Sequence, residues 1–460
     1  MEENSRLLVS DIGGAGGVQK NTSLLLIAIA FGFFALSVWG MAPGWLTTDS
    51  LSHYVDAKQG VYRDMSPILL TWLWNKLLVF SDGPLPMLVL QLLAYWGGFY
   101  FLSEAARTRI GPAAPLILLC GLWPGVFEQV GFIWKDIIFG TMMLLAWSIL
   151  VAAYFQQRCL RTWEKVALVV ALIISVGVKQ NGITSVPFVF GAWFYLEGKF
   201  KKSFVRISAA AVAATVAVTA FSMALTMPSK IVRQGNLIWQ YTQIYDVLAI
   251  SIAENTVLLP KHITDQRTDQ LSELRKYYWP GGMNSFFFQK GGTLGSTDPT
   301  EIDELRKAWI SAVTAYPKDY LAHRWDNLSV MLRLGAYTPA WVGEPGIWEN
   351  PFIPPFKETA LSEALGTTLK TMPWAYLPWI YIVLAGVSFF FSMVFAQKRA
   401  IPLLLFASSG AFFAPHFFVL PAADYRYLYF CYLMAIVAVV VALIDFISRM
   451  RSPSSAGAGF

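Results

Sequence analysis

Apolar runs long enough to cross a bilayer recur along this chain, and they constrain its fold more than any other feature. The first, Ser23 to Met41, contains no ionisable residue. It is too long and too uniform for the apolar part of a cleaved signal peptide, so it predicts a retained transmembrane helix. Nine further candidates follow: Pro86 to Leu102, Ala113 to Phe127, Ile137 to Phe155, Trp163 to Val178, Ile183 to Leu196, Ile207 to Met227, Trp374 to Phe395, Ile401 to Val419 and Tyr427 to Ile447. With 56% of residues hydrophobic and 14% charged, a membrane setting follows. The expected fold class is α, a polytopic helical membrane protein of about ten transmembrane helices.

Lys and Arg fall in alternate connections: Arg107 and Arg109; Arg158, Arg161 and Lys165; Lys199 to Lys202 with Arg206; Lys398 and Arg399; Arg449 and Arg451. The positive-inside rule makes these loops cytoplasmic and puts both termini inside. Asp49, Lys135, Lys179, the segment 228–371 and Asp424 then share the opposite side. The net charge of +6 is largely this topogenic Lys and Arg, so no nucleic-acid partner is inferred. Cys120, Cys159 and Cys431 lie within or beside apolar spans, show no disulfide or zinc spacing, and read as inert buried thiols.

Three blocks result. Residues 1–227 form an amino-terminal membrane block that includes a first extracytoplasmic loop (42–67) and an amphipathic interfacial helix (67–80). Residues 228–371 form a mainly helical extracytoplasmic domain, with helical patterns at Glu301 to Tyr316 and Tyr320 to Leu332 and an extended Pro345 to Pro355 passage. Residues 372–460 form a second membrane block. The tails around Gly13 to Gly17 and after Ser452 read as disordered.

In the first loop, Asp49, His53 and Asp56 are spaced to share one face of a helix over Ser50 to Ala57. Asp49 reads either as a functional carboxylate at a membrane mouth or as a helix cap. Further along, Lys135 suits a phosphate or snorkels to head groups, and Asp136 is either polar site or cap. Lys179-Gln180-Asn181-Gly182 forms a polar turn. Arg324 and Arg426 carry guanidinium groups suited to phosphate; the alternatives are a surface helix for Arg324 and, for Arg426, pairing with Asp424 inside an interfacial belt of Tyr425, Tyr427 and Tyr429. His416 reads as a satisfied buried histidine. No Walker loop, HExxH or Rossmann fingerprint is present.

These features resemble the GT-C superfamily of integral-membrane glycosyltransferases, especially the bacterial O-antigen glucosyltransferases. The likeness rests on Thr48-Asp49-Ser50, Tyr62-Arg63-Asp64-Met65-Ser66-Pro67, Trp134-Lys135-Asp136, Lys179-Gln180-Asn181-Gly182, the stretch from Tyr316 to Arg324, and Asp424-Tyr425-Arg426-Tyr427. The resemblance implies an inverting transfer of sugar from a polyprenyl-phosphate donor to a glycan or lipid-linked acceptor, outside a bacterial inner membrane. It implies Asp49 as general base and Lys135, Arg324 and Arg426 as the donor-phosphate clamp. Asp64, Asp136, His53, Asn181 and Tyr425 would meet the acceptor or substrate. No cofactor is required and no metal ligands are assigned, with a divalent cation left open. Trp239, Tyr241, Trp279, Trp325, Trp341 and Trp348 offer sugar-stacking surfaces or ordinary packing. An O-antigen polymerase or ligase, and a lipid-linked-sugar flippase, stand as alternatives.

Overall fold

Lipid offers no hydrogen-bond partners, so apolar runs satisfy their backbone within helices. The computed structural model describes residues 3–64, 67–227, 231–234, 237–287, 294–335, 342–396 and 399–451, and these are helical almost throughout. Among them, seven helical stretches are long and apolar enough to cross a membrane: Thr22–Met41, Leu85–Leu122, Lys135–Phe155, Phe204–Thr226, Pro378–Phe395, Ala400–Val419 and Tyr425–Met450. This suggests an integral membrane protein.

The count differs from the expected ten for two physical reasons. Helices Thr162–Val178 and Val186–Leu196 have 17 and 11 residues, short of the roughly 20 that a perpendicular crossing takes. The expected second and third spans form one apolar stretch that folds back on itself. Helix Leu85–Ile110 stops at Gly111, whose φ of 59° suits a residue without a Cβ. The following 3-10 segment Gly111–Leu122 returns alongside it, so that the Tyr95 hydroxyl donates to Gly121 O at 2.6 Å. Pro112 and Pro115 withhold backbone donors there, which is why no α-helix spans Ala113 to Phe127.

Two other expectations are corrected. The amino-terminal tail around Gly13 to Gly17 is helical, continuous with the first span over Glu3–Met41, because a formed helix extends at one hydrogen bond per added residue. Cys431 is buried, but Cys120 is half-buried and Cys159 exposed, in the turn after Phe155. Met65, Ser66, Trp341, Lys398 and the tail from Ser452, all named above, lie outside the described residues.

Lys135–Phe155 is the central helix, with 94% of its apolar window buried, against 28%, 28% and 22% for Thr22–Met41, Phe204–Thr226 and Pro378–Phe395. Those outer helices leave Phe31, Trp39, Val216 and Phe390 exposed. A belt of this kind would drive aggregation in water but is solvated by acyl chains in lipid. At the bundle's centre, a Cβ on Gly140 would sit 2.6 Å from Tyr429 Cδ1, so its absence lets the central and last helices meet closely.

Residues 228–371 contain helices Leu237–Ala253, Pro299–Ala315 and Pro317–Leu332, and helix Ala360–Thr371, whose Leu365 packs into the main bundle core. Tyr245, Leu248, Phe286 and Leu305 belong to the block's own apolar core. The passage from Pro345 to Pro355 is non-helical, as its prolines predict. A parallel pairing of Tyr62–Arg63 with Ile231–Val232 stitches this block to the first loop. In that loop, helices form at Thr48–Gln59 and Ile68–Leu77. Just past the second, Val79 and Phe80 are each 80% exposed, which suits a helix lying in a membrane interface.

Candidate functional site

Backbone pairing sets where Asp49 stands. Trp45 N donates to Gly131 O at 2.8 Å and Ile133 N donates to Trp45 O at 3.0 Å. Two side chains complete the seam: Trp134 Nε1 donates to Thr47 Oγ1 at 2.9 Å, and Ser50 Oγ donates to Ile133 O at 2.8 Å. The first-loop helix therefore begins directly against the start of the central helix, where Lys135 and Asp136 occupy the first turn. Thr47, not Asp49, is the N-cap residue, and Asp49 spends its carboxylate elsewhere.

Its partner comes from the far end of the chain. Arg426 Nη2 lies 2.6 Å from Asp49 Oδ2 and 3.2 Å from Asp424 Oδ2, while Arg426 Nε lies 4.0 Å from Asp136 Oδ2. Neither Arg426 Nε nor Asp136 Oδ2 has a hydrogen-bond partner among the described residues. Lys179 pairs with Asp136 Oδ1 and lies over the rings of Phe412 and Tyr427. Arg426 stacks at 4.6 Å over Trp134. Three carboxylates (Asp49, Asp136, Asp424) thus face three cations (Lys135, Lys179, Arg426) at one end of the bundle.

Two members of this cluster differ from the rest. Asp49 is 59% exposed, whereas the side chains of Asp136, Lys179 and Arg426 are at most 11% exposed, so Asp49 forms the open wall of the site. Lys135 is half-buried and makes no ion pair or hydrogen bond with the described residues, yet its charge acts on Asp49 and His53. The Arg426 guanidinium, against the opposing effect of desolvation, holds the Asp49 carboxyl below the usual range. Burial, then the Lys135 charge, pushes the His53 imidazole down to about 4, so it is neutral at pH 7. Its Nδ1 meets Thr71 Oγ1 at 2.7 Å. Burial raises the Asp424 carboxyl despite Arg426.

Other expected site residues stand apart from the cluster. Arg324 is fully buried in the 228–371 block, donating to Asp246 Oδ2 at 2.7 Å and to Leu420 O at 2.8 Å. This corrects both its surface-helix reading and its place in a phosphate clamp. Its guanidinium is consumed in holding the chain just before Asp424. Asp64 accepts from Gln234 N at 2.6 Å and belongs to the stitch between first loop and outer block. Tyr425 is buried with its hydroxyl on Gly125 O at 3.0 Å, and Tyr429 bonds Val126 O at 3.0 Å. These tyrosines anchor the Arg426 turn inside the protein and do not form an interfacial belt. Asp56 pairs with Arg63, away from Asp49. Asn181 Nδ2 lies 3.4 Å from His416 Nε2, and His416 Nδ1 is 2.9 Å from Phe412 O, so His416 is a satisfied buried histidine as expected. Among the described residues, no group of three or more His, Cys, Asp or Glu could hold a metal ion. Of the aromatic candidates, Trp325 and Trp348 are the most exposed and Tyr241 is buried.

The sequence reading assigned no site role to Lys179 or Asp424. The signal for both was present: Lys179 directly follows the run ending at Val178, and Asp424 stands in the short gap between the last two runs, grouped with Asp49 by the loop charges. Fold and site together define a helical protein with seven stretches of membrane-spanning length and a charge-balanced polar cluster opening at one end. No family model matches the chain, and no curated protein or solved structure matches it either.

Proposed function

We propose that this chain is an inverting membrane glycosyltransferase of the GT-C kind, moving a sugar from a polyprenyl-phosphate donor to a hydroxyl of a glycan or lipid-linked glycan. Counting Thr162–Val178, Val186–Leu196 and the fold-back after Gly111 as separate passes gives ten. Both termini are then cytoplasmic, and the site faces the periplasm or exterior of a bacterial inner membrane. The observation that carries the reading is the exposed Asp49 carboxylate beside Arg426 and a Lys135 that pairs with none of the described residues. Charges gathered at one end favour chemistry at the membrane surface over passage of a lipid-linked sugar through the bilayer.

The acceptor O–H gives its proton to Asp49 as its oxygen bonds the anomeric carbon. The carbon–oxygen bond to phosphate breaks, and its electron pair leaves on the polyprenyl phosphate. Arg426 and Lys135 stabilise that departing charge by positioned hydrogen bonds and proximity. No cofactor is needed. The exposed Val79 and Phe80 next to helix Ile68–Leu77 would let the donor's prenyl chain approach from the lipid side.

The test is transfer from radiolabelled polyprenyl-phosphate sugars in proteoliposomes. Asp49→Asn should abolish transfer while the protein still purifies as a folded species; wild-type rates in Asp49→Asn overturn the assignment.

A further inference from the structure

In a single-displacement transfer the base and the leaving phosphate lie on opposite faces of the sugar. Inverting glycosidases keep their two carboxyl groups roughly 6.5–9.5 Å apart for the same reason, that a nucleophile must fit between. The observed contact does not meet this requirement. Asp49 Oδ2 is 2.6 Å from Arg426 Nη2. A phosphate oxygen held by the same Nη2 at roughly 2.8 Å would lie within about 5 Å of Asp49 Oδ2, on its own side. That Nη2 position therefore serves the base or the phosphate in this geometry, not both.

The pair is also built so that one member moves. Arg426 keeps other supports when Asp49 leaves: Asp424 at 3.2 Å, the Trp134 ring at 4.6 Å and the anchored turn Tyr425–Leu428. Asp49 has no second hydrogen-bonding partner among the described residues, and its side chain is 59% exposed.

From this geometry we infer that Asp49 is latched at rest: the donor's phosphate, arriving on Lys135 and Arg426, displaces Asp49 from Arg426 and frees it to act as base. The inference rests on the glycosyltransferase reading and adds an order to it. An acceptor hydroxyl cannot be activated until the donor phosphate is seated. Asp49 and the phosphate are rivals for one cation, so each must weaken the other's hold on it.

The rivalry is read by equilibrium binding of radiolabelled undecaprenyl phosphate to the detergent-solubilised full chain, in a double-mutant cycle over Asp49→Asn and Arg426→Gln. Asp49→Asn should bind about tenfold more tightly than wild type, the scale of one charge-assisted hydrogen bond. In the Arg426→Gln background the same change should shift affinity by less than about twofold, because the guanidinium that Asp49 pairs with is gone and Lys135 makes no ion pair with Asp49. Equal tightening in both backgrounds overturns the latch, since it would then reflect only the loss of a nearby negative charge. No tightening in either also overturns it. Lys135→Gln reports separately on the parent reading: weaker binding there supports a phosphate site whatever the cycle gives. Unchanged binding in both Lys135→Gln and Arg426→Gln removes the phosphate site, and the latch with it.

Discussion

Arg426 and Asp49 are 377 residues apart in the chain and 2.6 Å apart in the fold. The ion pair joins the first loop to the turn that starts the last helix. Arg426→Gln should lower the turnover number by about 10²–10³, the usual effect of removing one donor that stabilises developing charge. Steady-state kinetics with a polyprenyl-phosphate sugar measures this, and a rate within threefold of wild type would count against the role.

Lys135 differs from Lys179 and Arg426 in having no ion-pair partner to lose among the described residues. Lys135→Gln should therefore weaken donor binding, seen as a raised KM, while the thermal midpoint stays close to wild type. A drop of several degrees would mean that the ammonium supports the fold.

Lys179 and Asp136 form the opposite case, a pair buried on both sides. Lys179→Met alone leaves the buried Asp136 carboxylate with only the longer 4.0 Å contact to Arg426 and should cost up to about 3–5 kcal/mol, whereas Lys179→Met with Asp136→Leu should recover much of the loss. Thermal unfolding of the purified single and double variants compares them. A double variant as unstable as the single would show that the pair itself stabilises the bundle.

Glu128 is fully buried, and among the described residues neither carboxyl oxygen has a hydrogen-bond partner at full bonding geometry, the Tyr376 hydroxyl being the nearest support. Burial pushes its carboxyl up to about 8, with the Tyr376 hydroxyl easing this only in part. The folded chain then holds a proton that the unfolded chain releases above its ordinary value of 4.5. Stability should fall as pH rises from about 5 to about 8, because the unfolded state binds fewer protons across that window. Glu128→Gln should flatten the slope in a thermal-midpoint series against pH. An unchanged slope would place the titration elsewhere.

The sequence made the helical class and most apolar segments legible, because uninterrupted runs such as Ser23 to Met41 and Ile137 to Phe155 admit few other solutions. It also grouped, from loop charges alone, Asp49, Lys135, Lys179 and Asp424, which the fold gathers in one cluster. It could not separate Arg426 from Arg324. Both are arginines in polar-aromatic segments, and only tertiary contacts reveal that Arg324 is taken by Asp246 and Leu420. The fold-back at Gly111 was hidden for a related reason, since hydropathy records length and apolarity but not the direction in which the chain turns.

The equal numbers of carboxylates and cations around Asp49 bear on how a substrate is found. A cluster whose charges cancel has almost no reach beyond a Debye length of roughly 8 Å. An anionic lipid would therefore not be drawn in from a distance by a long-range field. It would meet the site by lateral diffusion in the leaflet and be discriminated only on contact. Capture should accordingly depend little on ionic strength and strongly on the lipid's surface density.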